Sequence, residues 1–210
     1  MGPHVTEPGR LIALEGIDGC GKSTQAKLLA EALGVQLTRE PGGTAVGSAI
    51  REILLSTDLV ISARAEALLV LADRAQHVEE VMRRAIASGA WVVTERFEGS
   101  TRAYQGAGRL LGCSLEPLLE FAAGGVSADL SILIDVAPEV ARSRLGSEPD
   151  RLEAMDSGFH ATVADAYRKL AAASPDLWEV VDGNRSVEEV ERSVKEAVAR
   201  RLGSPPAERR

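Results

Sequence analysis

The stretch Gly16-Ile17-Asp18-Gly19-Cys20-Gly21-Lys22-Ser23 decides the fold of this chain. It has the spacing of a phosphate-binding loop, in which two glycines separated by four residues precede a lysine and a hydroxyl residue. The apolar run 11–14 before it predicts a buried strand, and residues 24–33 predict a helix that ends at Gly34. A strand, a glycine loop and a helix start together present backbone N–H groups to phosphate oxygens. The sequence therefore predicts a nucleoside triphosphate site.

Each kind of residue in this loop has a separate task. Glycines allow a tight turn and a close approach to the anion, because no Cβ stands in the way. The Lys22 ammonium is expected to bridge the outer phosphates, and the Ser23 hydroxyl is expected to ligate Mg²⁺. The residues that we expect to bind ATP are Gly16, Ile17, Asp18, Gly19, Cys20, Gly21, Lys22, Ser23 and Thr24.

The composition is that of an ordinary globular protein. The 210 residues are 45% hydrophobic and 26% charged, which suits one domain with a substantial core. A net charge of −7 argues against partners such as nucleic acid or a membrane surface, which attract basic faces. The two cysteines, Cys20 and Cys113, do not make a disulfide framework, and neither a signal peptide nor a membrane-spanning apolar run is present. We therefore predict a cytoplasmic location.

Strands and helices alternate along the chain. Residues 10–202 are predicted to form one domain, between flexible ends at 1–9 and 203–210. Further strands are predicted at 35–38, 91–94, 130–135 and 178–181. Helices are predicted at 46–55, 62–88, 154–172 and 187–202, at the segment opened by Pro138, and within 100–125 between breaks at three glycines. This alternation predicts an α/β fold with a five-stranded parallel sheet flanked by helices on both sides.

Polar residues follow three of the predicted strands. Asp18 and Lys22 come after the first strand, Arg39 after the second, and Glu95 with Arg96 after the third. Ligands of such folds bind at the carboxyl ends of the strands, so we expect these side chains to share one crevice. Several cations with one or two acids are what phosphoryl transfer requires, because its catalysis is mostly positioning and neutralisation of charge.

Further motifs carry a resemblance to a known family. In chain order they are LEGIDG at 14–19, TREPGGT at 38–44, ADRAQH at 72–77, ERF at 95–97, AYQGAGR at 103–109 and DRLE at 150–153. In the identity and order of these motifs, the chain resembles the thymidylate kinases across about residues 10–195. The resemblance implies a phosphate-loop nucleoside monophosphate kinase fold with strand order 2-3-1-4-5, and a homodimer formed through the long helices. It also implies Mg²⁺-dependent transfer of phosphate from ATP to dTMP, which gives dTDP for dTTP synthesis.

The family's roles for the sugar and the acceptor phosphate fall on five residues here. Asp18 would approach the sugar 3′-hydroxyl, and Tyr104 would lie near the 2′ position, where it discourages ribonucleotides. Arg39, Arg51 and Arg96 would lie near the acceptor phosphate.

The roles for the base fall on a second set of residues. Arg74 would read a thymine carbonyl, and Ser100, Thr101 and Gln105 would contact the base and its surroundings. Val70 stands where the family has a phenylalanine that stacks on thymine. Since base stacking on an aromatic side chain contributes about 1–3 kcal/mol, this departure affects acceptor preference more than reaction type.

The family places a catalytic arginine either in the phosphate loop or in a mobile lid. Gly19 and Cys20 offer no positive charge, so the chain resembles the lid type, with a lid at about 142–153. Arg142, Arg144 and Arg151 are the lid candidates. The expected catalytic residues are then Lys22, Arg96, Asp18, Arg151 and Arg144.

A second departure concerns the metal site. Glu95 stands where the family usually has aspartate, and it is expected to act with Ser23 in holding Mg²⁺. The extra methylene keeps the charge and changes the geometry. Asp135, at the end of the fourth strand, is the competing acid.

Two other functions remain open from the sequence. The chain could phosphorylate another small acceptor, such as a different pyrimidine monophosphate, because of Val70. It could also be a nucleotide-binding regulator with degenerate kinase activity, because of Glu95 and Val70 together. A GTPase is disfavoured, since no guanine-reading Asn/Thr-Lys-x-Asp segment is present. His77 is interpreted as a polar residue on a helix surface.

Overall fold

Five parallel strands form one sheet in which their chain order is 2-3-1-4-5, as the family resemblance implies. The protein is seen here in a computed structural model that describes residues 9–205. Of the predicted flexible ends at 1–9 and 203–210, residues 1–8 and 206–210 lie outside the described residues. Gly9 is buried, and its N–H donates to the Ile86 carbonyl at 2.9 Å. The strands are β1 Leu11–Glu15, β2 Gln36–Arg39, β3 Val92–Glu95, β4 Leu130–Asp135 and β5 Trp178–Asp182.

Nine α-helices, within the described residues, connect and cover the strands. They are α1 Lys22–Leu33, α2 Ala45–Leu55, α3 Ala63–His77, α4 Arg83–Ala87, α5 Glu98–Thr101, α6 Glu116–Ala123, α7 Pro138–Ser143, α8 Ser157–Ala173 and α9 Val187–Leu202. None of the helices in this part of the chain is long and apolar enough to cross a membrane.

The central strand β1 is buried along its whole length because helices cover both faces of the sheet. Ile12 and Leu14 belong to the larger apolar cluster, which includes residues of α1, α8 and α9. Leu11 and Ala13 point to the other face, where they pack with Val78 and Met82. The alternation of side chains along a strand explains this division. The carboxyl ends of β1 and β3 consequently lie side by side, with Leu14 paired to Glu95.

The long predicted helix at 62–88 is continuous but contains a π-helical turn. The turn spans Val78–Met82 and joins α3 to α4. A second π-helical segment, Arg102–Gly108, continues α5 through Gly106, so the predicted break at that glycine is wrong. Gly108 is needed for close packing, since a Cβ there would lie 2.6 Å from the ring of Phe159.

Two other expectations need correction. Helix α8 begins at Ser157, later than predicted, because the Asp156 side chain caps it by accepting from the Phe159 N–H at 2.9 Å. The helical pattern of residues 24–33 predicts that Leu28, Leu29 and Ala32 form the buried face of α1. In the structure this face consists of Ala26, Leu29 and Ala30, while Leu28 is half-buried and Ala32 is exposed.

Candidate active site

The phosphate loop joins β1 to α1 with the conformation that its glycines allow. Gly16 has a φ of 142°, and a Cβ there would lie 2.8 Å from the carbonyl oxygen of Ile134. Gly21 has a φ of 95° and precedes the first residue of α1. Lys22 is only 4% exposed, and its Nζ lies 3.1 Å from Asp18 Oδ1. The ammonium group is therefore held inside the loop, where a bound phosphate would meet it.

Arg96 lies in the crevice at the end of β3 and contacts the phosphate loop. Its backbone φ of 69° is uncommon for a residue with a side chain and directs the guanidinium back across the end of β1. Its NH2 donates to Asp18 Oδ1 at 2.6 Å, and its NH1 donates to the Gly16 carbonyl at 3.1 Å. Both hydrogen bonds tie Arg96 to the phosphate loop.

Tyr104 completes this arrangement. Its hydroxyl donates to Asp18 Oδ2 at 2.8 Å and accepts from Arg96 NH2 at 3.2 Å, while the guanidinium lies 4.9 Å from the centre of its ring. Burial opposes ionisation of Asp18, but the charges of Arg96 and Lys22 outweigh it and hold the pKa of Asp18 well below its usual range. Asp18 is thus a carboxylate at neutral pH, fixed on both oxygens.

Glu15 contacts Ser100 and Tyr167, which both also contact Arg96. The sequence interpretation did not identify this residue. Its fully buried carboxylate accepts from the Phe97 N–H at 2.9 Å, from Ser100 Oγ at 2.6 Å and from the Tyr167 hydroxyl at 3.1 Å. Burial raises the pKa of Glu15, and the hydrogen bond from Ser100, the charge of Arg96 and the hydrogen bond from the Phe97 N–H oppose this rise in part. Its only sequence signal was a carboxylate at the end of an otherwise apolar strand.

Beyond Arg96 lies a cavity, here called the acceptor cavity. It brings together all the residues predicted to contact the base, and half-buried Val70 forms part of its wall. Within the described part of the chain, Arg74 NH1 and Thr101 Oγ1 are buried without hydrogen-bond partners. The residues around it that carry a predicted role are Asp18, Arg51, Val70, Arg74, Glu95, Arg96, Ser100, Thr101, Tyr104 and Gln105.

Arg51 gives the acceptor cavity a cationic edge. Arg51 lines it, with NH1 donating to the Pro41 carbonyl at 3.2 Å. Burial and then the like charge of Arg39 lower the pKa of Arg51. Arg39 itself is exposed and does not line the cavity. An anion placed near Arg51 would relieve this repulsion.

Ser23 and Glu95 lie together, as a shared metal role requires. Ser23 Oγ donates to Glu95 Oε1 at 2.7 Å, across 72 residues of sequence. Asp135 instead pairs with Arg168 at 2.9 Å near the surface. Groups of three or more His, Cys, Asp or Glu suited to a metal are absent from residues 9–205. Mg²⁺ requires only one or two protein oxygens beside water and phosphate oxygens, so the Ser23–Glu95 pair fits it.

The lid arginines are placed differently. Arg144 lines a cleft with loop residues 19–25, and its NH1 donates to the Gly183 carbonyl at 3.1 Å. Arg142 lines a smaller cavity beside Asp18. Arg151 lies next to the acceptor cavity, where its Nε donates to the Leu54 carbonyl at 2.7 Å. A catalytic role for Arg151 stays a prediction, and it requires that side chain to leave these contacts.

Glu66 organises the lid contact and has no signal in the sequence. Its buried carboxylate accepts from Arg151 NH1 at 2.8 Å, from Arg109 NH2 at 2.8 Å and from Gln105 Nε2 at 2.9 Å. Burial opposes ionisation of Glu66, but these three donors lower its pKa. Glu66 therefore joins the lid segment to Gln105 of the acceptor cavity.

The interpretation of His77 as a helix-surface residue is wrong. Its side chain is 0% exposed, because Glu40 and Thr38 pack against it from the segment that follows β2 and from β2 itself. The neighbouring Asp73 Oδ1 accepts from the Gly42 N–H at 2.9 Å, and burial raises the pKa of Asp73 to about 6.

Fold and site together are those of a phosphate-loop nucleoside monophosphate kinase: the phosphate loop borders one cleft, the acceptor cavity lies beyond Arg96, and segment 142–153 contributes lining residues to both. The family model for thymidylate kinase matches residues 14–194. A thymidylate kinase of Leifsonia xyli subsp. xyli is 48% identical over 204 residues, covering 93% of this chain and 97% of that relative. One from Neisseria gonorrhoeae is 42% identical over 202 residues, covering 92% and 98%. The chain belongs to the thymidylate kinase family.

A solved structure gives the same answer for the fold. The crystal structure of thymidylate kinase from Ehrlichia chaffeensis aligns with a TM-score of 0.74 at 30% sequence identity. The alignment covers 91% of this chain and 99% of that one.

Proposed function

We propose that this protein transfers the γ-phosphoryl group of ATP to dTMP, giving ADP and dTDP. One observation carries the proposal: the Asp18–Lys22–Arg96 cluster stands between the cleft at the phosphate loop and the acceptor cavity. A phosphoryl group moving between nucleotides in these two sites would pass the strongest concentration of fixed charge in the crevice.

The chain's own residues supply positioning and charge. A phosphate oxygen of dTMP attacks the γ-phosphorus in line, and the bond from that phosphorus to the bridging oxygen of ADP breaks. Lys22 and Arg96 neutralise the charge on the moving group, and Arg51 holds the acceptor phosphate. Asp18, ionised and fixed by Arg96 and Tyr104, accepts a hydrogen bond from the sugar 3′-hydroxyl. No protein nucleophile is required.

Ser23 and Glu95 are the residues that would hold Mg²⁺. When bound, the ion would supply positive charge that neutralises the outer phosphates of ATP. The hydrogen bond between the two side chains supports this role, because it brings the Glu95 carboxylate within reach of an ion that Ser23 ligates.

Release of ADP with a panel of acceptors tests the proposal. We expect dTMP to give the highest kcat/KM among dTMP, dUMP, dCMP and UMP. A higher kcat/KM with another pyrimidine monophosphate would show that dTMP is not the preferred acceptor. ATP binding without turnover on any acceptor would favour the regulator, and either outcome would contradict the proposal.

The two lid arginines should give different kinetic defects. Arg144 lines the cleft at the phosphate loop, so Arg144→Ala should lower kcat/KM for ATP by about tenfold or more, as loss of a charged contact does. Arg151 binds Glu66 and Leu54, so Arg151→Ala should mainly raise the KM for dTMP. Steady-state kinetics with each substrate varied in turn measures both effects.

The matched control for the lid experiment is Arg185→Ala, which removes an exposed arginine paired with Asp182. Its defect should be smaller than that of Arg144→Ala, although Arg185 also borders the cleft. The assignment is wrong if Arg144→Ala keeps wild-type values for ATP, or if Arg151→Ala affects only ATP.

Because Val70 stands where an aromatic ring would stack on the base, we expect the enzyme to have a high KM for dTMP and still to prefer dTMP over other pyrimidine monophosphates. Arg74, Thr101 and Gln105 read the base edge, and such contacts discriminate strongly because a wrong base leaves them unpaired. Val70→Phe should lower the KM by about tenfold if the ring finds room, since stacking contributes about 1–3 kcal/mol. If the ring instead clashes, thermal stability should fall, because overpacking costs about 1–3 kcal/mol. A variant with both unchanged would contradict this placement of the base.

We also propose a cytoplasmic homodimer. Large apolar side chains are exposed on neighbouring helices: Leu68 on α3, and Leu118 and Phe121 on α6, with Phe121 84% exposed. The same two helices pack against each other through Ala67, Leu71 and Leu119. An exposed apolar patch of this kind favours a partner surface. Sedimentation at micromolar concentration should therefore give twice the chain mass.

A further inference from the structure

A buried chain of polar contacts lies behind the acceptor cavity and ends on Arg74. Glu40 Oε2 lies 2.8 Å from both Nε and NH2 of Arg74. Glu40 Oε1 lies 3.0 Å from His77 Nδ1, and His77 Nε2 lies 2.6 Å from Thr38 Oγ1. Arg74, Glu40 and His77 are each almost fully buried, so water does not compete for these contacts.

These contacts fix the direction of the Arg74 guanidinium. The group is planar and its donors form a rigid fork, so two contacts to one carboxylate oxygen determine where the third nitrogen points. The ring of Phe97, 5.0 Å from the guanidinium carbon, supports one face. NH1 is buried and has no hydrogen-bond partner among the described residues. Because Arg74 lines the acceptor cavity, NH1 is the donor that remains for a base bound there.

Stability alone does not account for this arrangement. A buried ion pair loses hydration on both partners, and apolar residues of similar volume often stabilise a fold equally well. The arrangement also uses each side of the carboxylate for a different purpose. One oxygen of Glu40 holds Arg74, and the other is held by His77, which Thr38 fixes in turn.

We propose that Glu40, held by His77 and Thr38, is the positioning residue that directs Arg74 NH1 at the acceptor base and so sets the preference among pyrimidines. The inference rests on the proposed function. The variant Glu40→Gln keeps the shape of the side chain and removes its charge, so Arg74 is free to turn. His77→Gln leaves Glu40 charged and removes the ring that orients it.

The test is the ratio of kcat/KM for dTMP to kcat/KM for dCMP, in which an amino group replaces one carbonyl of the base. This ratio does not depend on the fraction of folded enzyme, so a merely structural defect would not change it. In Glu40→Gln we expect the ratio to fall by about tenfold or more, because the base-reading donor is no longer fixed. His77→Gln should lower it in the same direction, with dUMP as a second reference acceptor.

Glu79→Gln is the matched control, since Glu79 pairs with Arg83 on the exposed surface of the same long helix. It should keep the wild-type ratio. A wild-type ratio in Glu40→Gln overturns the inference. If Glu40→Gln does not fold, a wild-type ratio in His77→Gln overturns it instead. A wild type that does not prefer dTMP contradicts the proposed function itself, and the two failures are therefore distinguishable.

Discussion

Replacing Lys22 with alanine is expected to lower kcat by about 10²–10³-fold, the usual result of removing a preorganised charge that stabilises a transition state. The ammonium lies inside the phosphate loop, 3.1 Å from Asp18 and 4.0 Å from Glu95. Alanine leaves the loop glycines and α1 unchanged, so the fold should persist. Steady-state kinetics and circular dichroism of the purified variant measure both parts of the prediction.

Lys27→Ala is the control for this experiment. Lys27 lies on the same helix, its side chain is 69% exposed, and its distance to Glu31 is 3.9 Å. Exposed pairs of this kind contribute about 0–1 kcal/mol, so both activity and stability should stay near wild type. A folded Lys22→Ala protein with wild-type turnover would refute the phosphate-loop mechanism.

Arg96→Ala should have the largest effect of any single substitution, because Arg96 serves both catalysis and stability. It contacts the phosphate loop through Asp18 and Gly16, and it carries the charge that compensates buried Glu15. We expect kcat to fall by about 10³-fold or more. The free energy of unfolding should fall by about 1–3 kcal/mol, because the Gly16 carbonyl and the Tyr167 hydroxyl lose their donor, while Asp18 keeps its contacts with Lys22 and Tyr104.

Denaturant unfolding and kinetics well below the unfolding midpoint separate these two losses. Arg168→Ala is the control, since it breaks a salt bridge with Asp135 in which both side chains are partly exposed. Its stability should change by about 1 kcal/mol or less. An Arg96→Ala enzyme with near-wild-type kcat per folded molecule would show that Arg96 is not part of the transfer site.

The sheet and the phosphate loop could be predicted because their signals are local. The apolar run of β1, the glycines of the loop and the helix that follows are contiguous in sequence, and the strand order came with the family resemblance. The shared metal role of Ser23 and Glu95 came with the family resemblance, and the two side chains meet because parallel strands end at the same edge of the sheet.

The supporting contacts could not be predicted, because they join distant segments. Glu66 meets Arg151 across 85 residues, and His77 meets Glu40 across 37. A polar residue on an amphipathic helix is usually exposed, and only the segment that packs over His77 makes it a buried one. Leu68 is the opposite case: it recurs with the other apolar residues of the predicted helix at 62–88, a pattern typical of a buried face, and its side chain is 57% exposed.

The central claim is that this site moves a phosphoryl group from ATP to dTMP, and the most direct test counts both products of one reaction. Anion-exchange chromatography of wild-type enzyme with ATP, dTMP and Mg²⁺ should show one dTDP formed for each ADP, with both falling together in Lys22→Ala. ADP that accumulates without dTDP, or dTMP that remains unchanged while ATP is bound, would contradict the account.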